Sequence, residues 1–310
     1  MKRLLCALLC AAMALLCGCT GAGGTESASS KSAVSSLPPT PSVSSTSSTQ
    51  STPSSSSTPS SSSAPAISST PPVVPTTAGE FADYSNKKIC WGQGVIVNEK
   101  NQPVTCPQYN QKYGKYGAVF MGTNEKNIYL TFDEGYENGY TAKILDVLKE
   151  KNVSAVFFVT YDYVSKNAAL VQRMIDEGHI VGNHSWSHPS MPNKSDDEVK
   201  SEIQKLHDYV LKNFGYSMNL FRPPMGEFSE RTLAITQSLG YKTVLWSFAY
   251  LDYDTKNQPT EEKAFSRVTG AEHGGAVYLL HAVSATNTAI LGRVIDNMRS
   301  NGYSIAKFDV

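Results

Sequence analysis

The sequence predicts an α/β fold in which about seven parallel strands alternate with helices and close, or nearly close, into a barrel. Two observations carry this. Seven short apolar runs alternate with segments of helical periodicity between residues 127 and 308, the order from which right-handed crossovers build a parallel sheet. Five polar stretches stand where such runs end: Thr131-Phe132-Asp133-Glu134-Gly135, His184-Ser185-Trp186-Ser187-His188, Arg222-Pro223-Pro224-Met225-Gly226, Leu251-Asp252-Tyr253 and Leu279-Leu280-His281. A parallel barrel gathers such tips at the carboxyl ends of its strands, where ligands bind. An open doubly wound sheet gathers them in the same way and is the alternative.

The first strand is the buried-type run 127–132, and Ile144, Leu145 and Leu148 give the following segment, 140–151, its helical spacing. Residues 155–159 form the second strand. The helix 168–177 stops at Gly178, a C-terminal capping residue, and the third strand is 179–182. Ser195 with Glu198 three residues on is a capping box, and Val199, Ile203, Leu206 and Val210 make the stripe of the helix it opens. A fourth strand leads into Arg222. The helix 229–239 ends at Gly240 before a fifth strand, 242–248. A sixth strand covers 276–280, a helix 288–300 and a last short strand 303–308.

What precedes the barrel has a different character. Met1, Lys2 and Arg3, the apolar run from Leu4 to Leu16, and then Cys17-Gly18-Cys19 have the layout of a secretory signal. The run is too short for a membrane span. Its end resembles a bacterial lipoprotein signal, which implies removal of residues 1–18 and a lipid anchor to the membrane through Cys19; a plain secretory signal is the alternative. Residues 19–78 are a tether dominated by Ser, Thr and Pro, with almost nothing to bury. Its low-complexity stretch has a root-mean-square span of roughly 40 Å, enough to let an anchored domain work within a cell wall; a passive O-modified stalk has the same composition. Residues 79–125 read as a small, tyrosine-rich, β-leaning extension to which no chemistry attaches. The exported context and a turn at Asn98-Glu99-Lys100-Asn101 suggest a disulfide between Cys90 and Cys106, against two free thiols.

Lysine plus arginine equals aspartate plus glutamate, 27 of each. With no basic patch, nucleic acid is excluded as an expected partner. The remaining domain, 126–310, is long enough for one large core.

The tips carry a hydrolytic chemistry. Two imidazoles, His184 and His188, with one carboxylate would make a three-ligand divalent-metal site with open positions. Two histidines at that spacing are commonplace on a surface; a carboxylate pair at another strand tip is what gives them weight. Amide hydrolysis also needs a base for water and an acid for the departing amine. Asp133 and Glu134 are adjacent, point to different sides, and can be divided between base and ligand. Trp186 can stack on a sugar or brace its loop, and His179, His207 and His273 read as structural.

At these residues the chain resembles the polysaccharide deacetylases, carbohydrate esterase family 4 with its NodB-homology domain, over residues 125–310, with all five motifs in order. The resemblance implies a distorted (β/α) barrel and metal-dependent removal of acetyl from N-acetylated sugars. It also implies Asp133 as general base, Arg222 as the arginine orienting it, and the Met225 backbone N–H as an oxyanion donor. His281 becomes the general acid tuned by Asp252, and His184, His188 and Glu134 the ligands of a divalent metal, zinc by preference. Glu134 departs from the family's usual Asp by one methylene, and Met225 replaces a common aromatic. The stretch Thr131 to Thr141, with Arg222 to Glu230 and Tyr278 to Ser284, further resembles the delta-lactam-biosynthetic de-N-acetylases of spore-forming bacteria. That implies action on N-acetylmuramic acid in peptidoglycan; with the signal and the tether, the expected protein is extracytoplasmic and lipid-anchored, and it is expected to be a monomer. The alternatives are a deacetylase of N-acetylglucosamine in peptidoglycan or chitin oligomers, and a glycan-binding lipoprotein without turnover.

Overall fold

The computed structural model describes residues 80–309; the expected signal at 1–18 and the tether at 19–78 lie outside them. The extension comprises β1 (Ile89–Cys90), α1 (Thr105–Tyr113) and β2 (Ala118–Val119). After it come β3 (Asn127–Glu134), α2 (Thr141–Glu150), β4 (Val156–Val159), α3 (Tyr161–Lys166), α4 (Ala168–Asp176), β5 (Ile180–Asn183), α5 (Asp196–Phe214) and β6 (Leu220–Phe221). The chain continues through β7 (Glu227–Phe228), α6 (Glu230–Ser238), β8 (Lys242–Val244), α7 (Glu261–Thr269), β9 (Ala276–His281), α8 (Ala285–Ser300) and β10 (Ser304–Ile305).

The parallel strands form one curled sheet in the order β10-β3-β4-β5-β6-β8-β2, with β9 on the other side of β3. A parallel bridge from Phe248, beyond β8, to Tyr278 in β9 links the two ends of the curl, so the sheet is a distorted barrel. All seven expected strands are present. The expected caps are too: Ser195 and Glu198 form the capping box of α5, and Gly178 and Gly240 take the left-handed conformation that suits glycine after a helix.

Strand alternation divides the core in two. Tyr129, Val156, Phe158, Leu220, Val244 and Val277 pack together with Phe308, which makes theirs the inner face. Ile128, Leu130, Phe132 and Phe157 pack with the helical stripes of Ile144, Leu148, Ile203 and Val210 on the outer face. A Cβ at Gly182 would lie 2.5 Å from the Phe158 ring, so glycine is what lets that ring fill the interior.

The extension departs from expectation in two ways. It carries the nine-residue helix α1 and is otherwise mostly loops and turns. The expected turn is real, with Val97 bridged to Pro103, yet Cys90 and Cys106 are both free. Cys106 is buried on α1, where burial pushes its thiol up to about 12, whereas Cys90 is exposed on β1 beside Glu227. A hairpin near two cysteines does not bring them together when one is drawn into the core.

Candidate active site

Counting by twos along each strand from the inner-face residues leads to the polar tips. Tyr129 leads through Thr131 to Asp133, Gly182 to His184, Leu220 to Arg222, and Val277 through Leu279 to His281. The same alternation that fills the barrel therefore aims four functional side chains into its carboxyl end.

Arg222 is fully buried, its guanidinium 4.2 Å from the Phe158 ring centroid. It donates through Nη1 to Asp133 Oδ1 and Thr131 Oγ1, both at 2.8 Å, and through Nε and Nη2 to the carbonyls of Val244 and Leu245. Thr131 in turn donates to the Tyr278 carbonyl at 2.6 Å. Burial alone would raise the Asp133 carboxyl, but the charges of Arg222, His184 and His281 and the Arg222 hydrogen bond outweigh it and hold it below its usual value. Asp133 is thus an ionised carboxylate with one oxygen fixed and the other directed at the histidines.

His184 Nδ1 bonds to the Arg222 carbonyl at 2.8 Å, which makes it the protonated nitrogen and leaves the Nε2 lone pair 3.5 Å from Asp133 Oδ2. Burial pushes His184 down to about 4 and lowers His188 as well. The rings are 4.8 Å apart. Two neutral imidazoles side by side are in the form that ligates a cation. Trp186, between them in sequence, stacks on Tyr161 at 3.6 Å and braces the loop.

On the far side of the site, His281 Nδ1 donates to Asp252 Oδ1 at 2.7 Å. Asp252 Oδ2 accepts from the His281 backbone N–H and from Asn287 Nδ2. Burial alone would lower His281, but the hydrogen bond and charge of Asp252, with the charge of Asp133, raise it above its ordinary value. Replacing Asp252 by asparagine removes the charge that keeps His281 protonated. The alkaline limb of the rate profile, where activity falls as pH rises through the His281 pKa, should therefore move to lower pH. Initial rates across pH check this, and an unmoved limb would separate Asp252 from the acid.

Met225 occupies a turn, Pro224–Gly226, with φ of +59°. Three of the five described non-glycine residues at positive φ, Ser185, His188 and Met225, stand in the polar tips. Such conformations cost about 1–3 kcal/mol each and persist where surrounding structure holds them.

Glu134 is the correction. It follows Asp133 while the strand still runs, so alternation aims it at the outer face, where it is fully buried and its charge bears on Tyr163 of α3. Neither carboxyl oxygen has a hydrogen-bond partner. Burial, then the charges of Glu137 and Asp133, push its carboxyl well above the usual range. The ligand set of His184, His188 and Glu134 is not assembled, and among the described residues no three histidines, cysteines or acids group to hold a metal. The two imidazoles fit a cation by their chemistry; Glu134 has suitable oxygens, but strand alternation aims them away from the histidines. Glu134→Met, which removes an unsatisfied buried carboxyl at similar volume, should leave metal content at the parent level and hold or raise stability by about 1–3 kcal/mol. Metal analysis with denaturant unfolding checks this; loss of metal would return Glu134 to the ligands.

Sequence reasoning missed Thr131, which accepts from Arg222, and Asn287, which holds Asp252. Thr131 opens the first polar stretch but had no role assigned to it, and Asn287 lies outside all five. His179, His207 and His273 are structural as expected, bonded to the Ala155 backbone N–H, the Tyr241 hydroxyl, and Ala271 with Ser247.

At the end of a (β/α) barrel, a carboxylate held by an arginine thus stands with a histidine held by a second carboxylate. The family model for polysaccharide deacetylase matches residues 121–244. The peptidoglycan-N-acetylmuramic acid deacetylase PdaA of Bacillus subtilis is 44% identical over 226 residues, covering 72% of this chain and 86% of the relative. The crystal structure of that B. subtilis PdaA, described as a family 4 carbohydrate esterase, superposes with a TM-score of 0.68 at 43% identity, over 72% of this chain and 96% of the other. The peptidoglycan-N-acetylglucosamine deacetylase PgdA of Listeria monocytogenes is 34% identical over 195 residues, 63% of this chain and 41% of that one. The chain belongs to the polysaccharide deacetylases, carbohydrate esterase family 4, and is a deacetylase.

Proposed function

We propose that the protein hydrolyses the N-acetyl group of an amino sugar in peptidoglycan, N-acetylmuramic acid by preference, outside the cytoplasm and anchored by lipid at Cys19. The observation that carries the chemistry is the pairing of Asp133, lowered in pKa and fixed by Arg222, with His281, raised in pKa and fixed by Asp252, on the inner face of one barrel end. A glycan binder without turnover has no use for both. The relative acting on N-acetylmuramic acid, at 44% identity, supports the preferred sugar; the N-acetylglucosamine relative supports the other.

Asp133 Oδ2 takes a proton from water as the water oxygen adds to the acetyl carbonyl carbon. The carbonyl oxygen becomes an oxyanion, stabilised by the Met225 backbone N–H. His281 then delivers its Nε2 proton to the sugar nitrogen, the C–N bond breaks, and acetate and a free amine leave. His184 and His188 would hold a divalent cation, zinc by their nitrogen donors, which when bound polarises the acetyl carbonyl. Arg222 and Thr131 keep the base from rotating away from the water.

Mass spectrometry of defined muropeptides, peptide-free glycan strands and chitin oligomers, with and without chelator, tests this. Chelator-sensitive loss of one acetyl from muramic residues, faster than from chitin oligomers, is the expected result. Equal or better kcat/KM on chitin oligomers would refute the muramic assignment, and no acetate from any glycan would refute the activity.

A further inference from the structure

The segment before the barrel, which has no chemistry in sequence terms, straps together two of the loops that build the site. The Trp91 backbone N–H donates to the Gly226 carbonyl at 3.0 Å, and its indole N–H to the Trp246 carbonyl at 2.9 Å. Gln93 holds the second of these segments at two points from one side chain: Nε2 donates to the Ala249 carbonyl at 3.1 Å, and Oε1 accepts from the Trp246 indole at 3.0 Å. Trp246 lies directly under the turn that carries Met225. A Cβ at Gly226, at φ of +66°, would stand 2.6 Å from Cη2 of the Trp246 ring, so the turn rests against that edge of the indole. Immediately beyond, β1 pairs antiparallel with β7, Cys90 opposite Glu227 and Ile89 opposite Phe228.

The strap is itself firmly seated. Trp91 packs against Tyr109 and Phe120 with ring centroids 4.8 and 4.5 Å apart, and the same cluster continues through Tyr113 to Phe228 at the end of the turn's strand. Gln93, by contrast, is half-buried between glycines, and the hydrogen bonds of its side chain go to the 246–249 segment. Its two hydrogen bonds therefore have a purpose other than holding the extension together.

We infer that Trp91 and Gln93 are positioning residues for the oxyanion-holding turn Pro224–Gly226, acting through Trp246, so that residues 89–93 are part of the active centre rather than a cap. This rests on the deacetylase mechanism above and on Met225 as its oxyanion donor. The turn closes on itself through one backbone bond, from the Gly226 N–H to the Pro223 carbonyl at 3.1 Å, and is placed against the barrel by contacts from outside it. The bond from Trp91 to Gly226 fixes the turn's end, and Gln93 fixes the rotation of the indole beneath it.

The test uses the full-length protein, Gln93→Met, which keeps side-chain volume and removes both hydrogen bonds, and Trp91→Phe, which keeps a ring in the aromatic cluster and loses the indole donor. Acetate release is measured on the acetylated glycan and on an activated aryl acetate. Oxyanion stabilisation is common to both substrates, whereas proton donation by His281 matters for the amine alone. In Gln93→Met, kcat should fall about tenfold, short of the ~10²–10³-fold that deleting an oxyanion donor costs. KM should stay within about twofold, the fall should be equal on both substrates, and the thermal midpoint should be unchanged. Trp91→Phe should show the same split. A parent-like kcat in Gln93→Met overturns the inference, as does a loss that tracks the folded fraction or one confined to the amide. A wild-type protein that releases no acetate overturns the deacetylase mechanism, and this inference with it.

Discussion

Asp133→Asn should lower kcat by about 10²–10⁴-fold, because an amide cannot accept the proton of water and general-base catalysis contributes about that much. The variant is a clean test because the asparagine oxygen can still accept the Arg222 Nη1 hydrogen bond that fixes the native side chain. His184 and His188 are held by other contacts: His184 by the Arg222 carbonyl, His188 through its backbone N–H on Ser185 Oγ. Metal content should therefore match the parent. Acetate release under saturating substrate, with metal analysis on the same sample, separates loss of the base from loss of the site. Turnover within tenfold of the parent would remove Asp133 from the mechanism.

The barrel was legible because its strands are written as apolar runs with few other ways to fold. Val156-Phe157-Phe158-Val159 is buried on both faces, in the interior and under the helices, so no amphipathic pattern competes with the strand. Helices α2 and α5 were legible from their stripes and α5 also from its capping box. Helix α7 was not, since Glu261–Thr269 buries only Ala264 and Val268 and reads as a polar loop. Helix α1 was hidden by Pro107 and by burying little more than Cys106 and Tyr113.

The gathering of Asp133, His184, Arg222 and His281 at one barrel end was legible in the sequence, whereas the direction of Glu134 turned on a single position. Asp133 and Glu134 are chemically alike in sequence, and each could serve as ligand. Had the strand ended at Asp133, the following loop could have turned the second acid back to the histidines. Because β3 pairs with β4 through Glu134 and Val159, alternation persists for one more residue and sends Glu134 outward. The role of the extension was illegible for a different reason: Trp91 and Gln93 act through hydrogen bonds to backbone and side chain some 150 positions away, which leave no local pattern.

Arg222→Met should destabilise the fold by about 3–5 kcal/mol at neutral pH, the range for removing one partner of a buried ion pair. It removes bonds to Asp133, Thr131, Val244 and Leu245 at once and leaves a carboxylate only 8% exposed without its arginine. The sign of the pH dependence distinguishes charge from packing. In the parent, Asp133 has a depressed pKa, so it contributes stability above the unfolded carboxylate pKa that is lost as pH falls through the folded value. Without Arg222, burial raises that carboxyl, and the same group becomes destabilising at neutral pH and is relieved as acid protonates it. The gap between parent and variant should therefore narrow on acidification from pH 7 towards about pH 4. Denaturant unfolding at several pH values measures it, and a gap independent of pH would make Arg222 a packing residue. Adding Asp133→Asn to Arg222→Met should cost less than the sum of the two changes, because once the cation is gone a neutral amide is the cheaper group to bury.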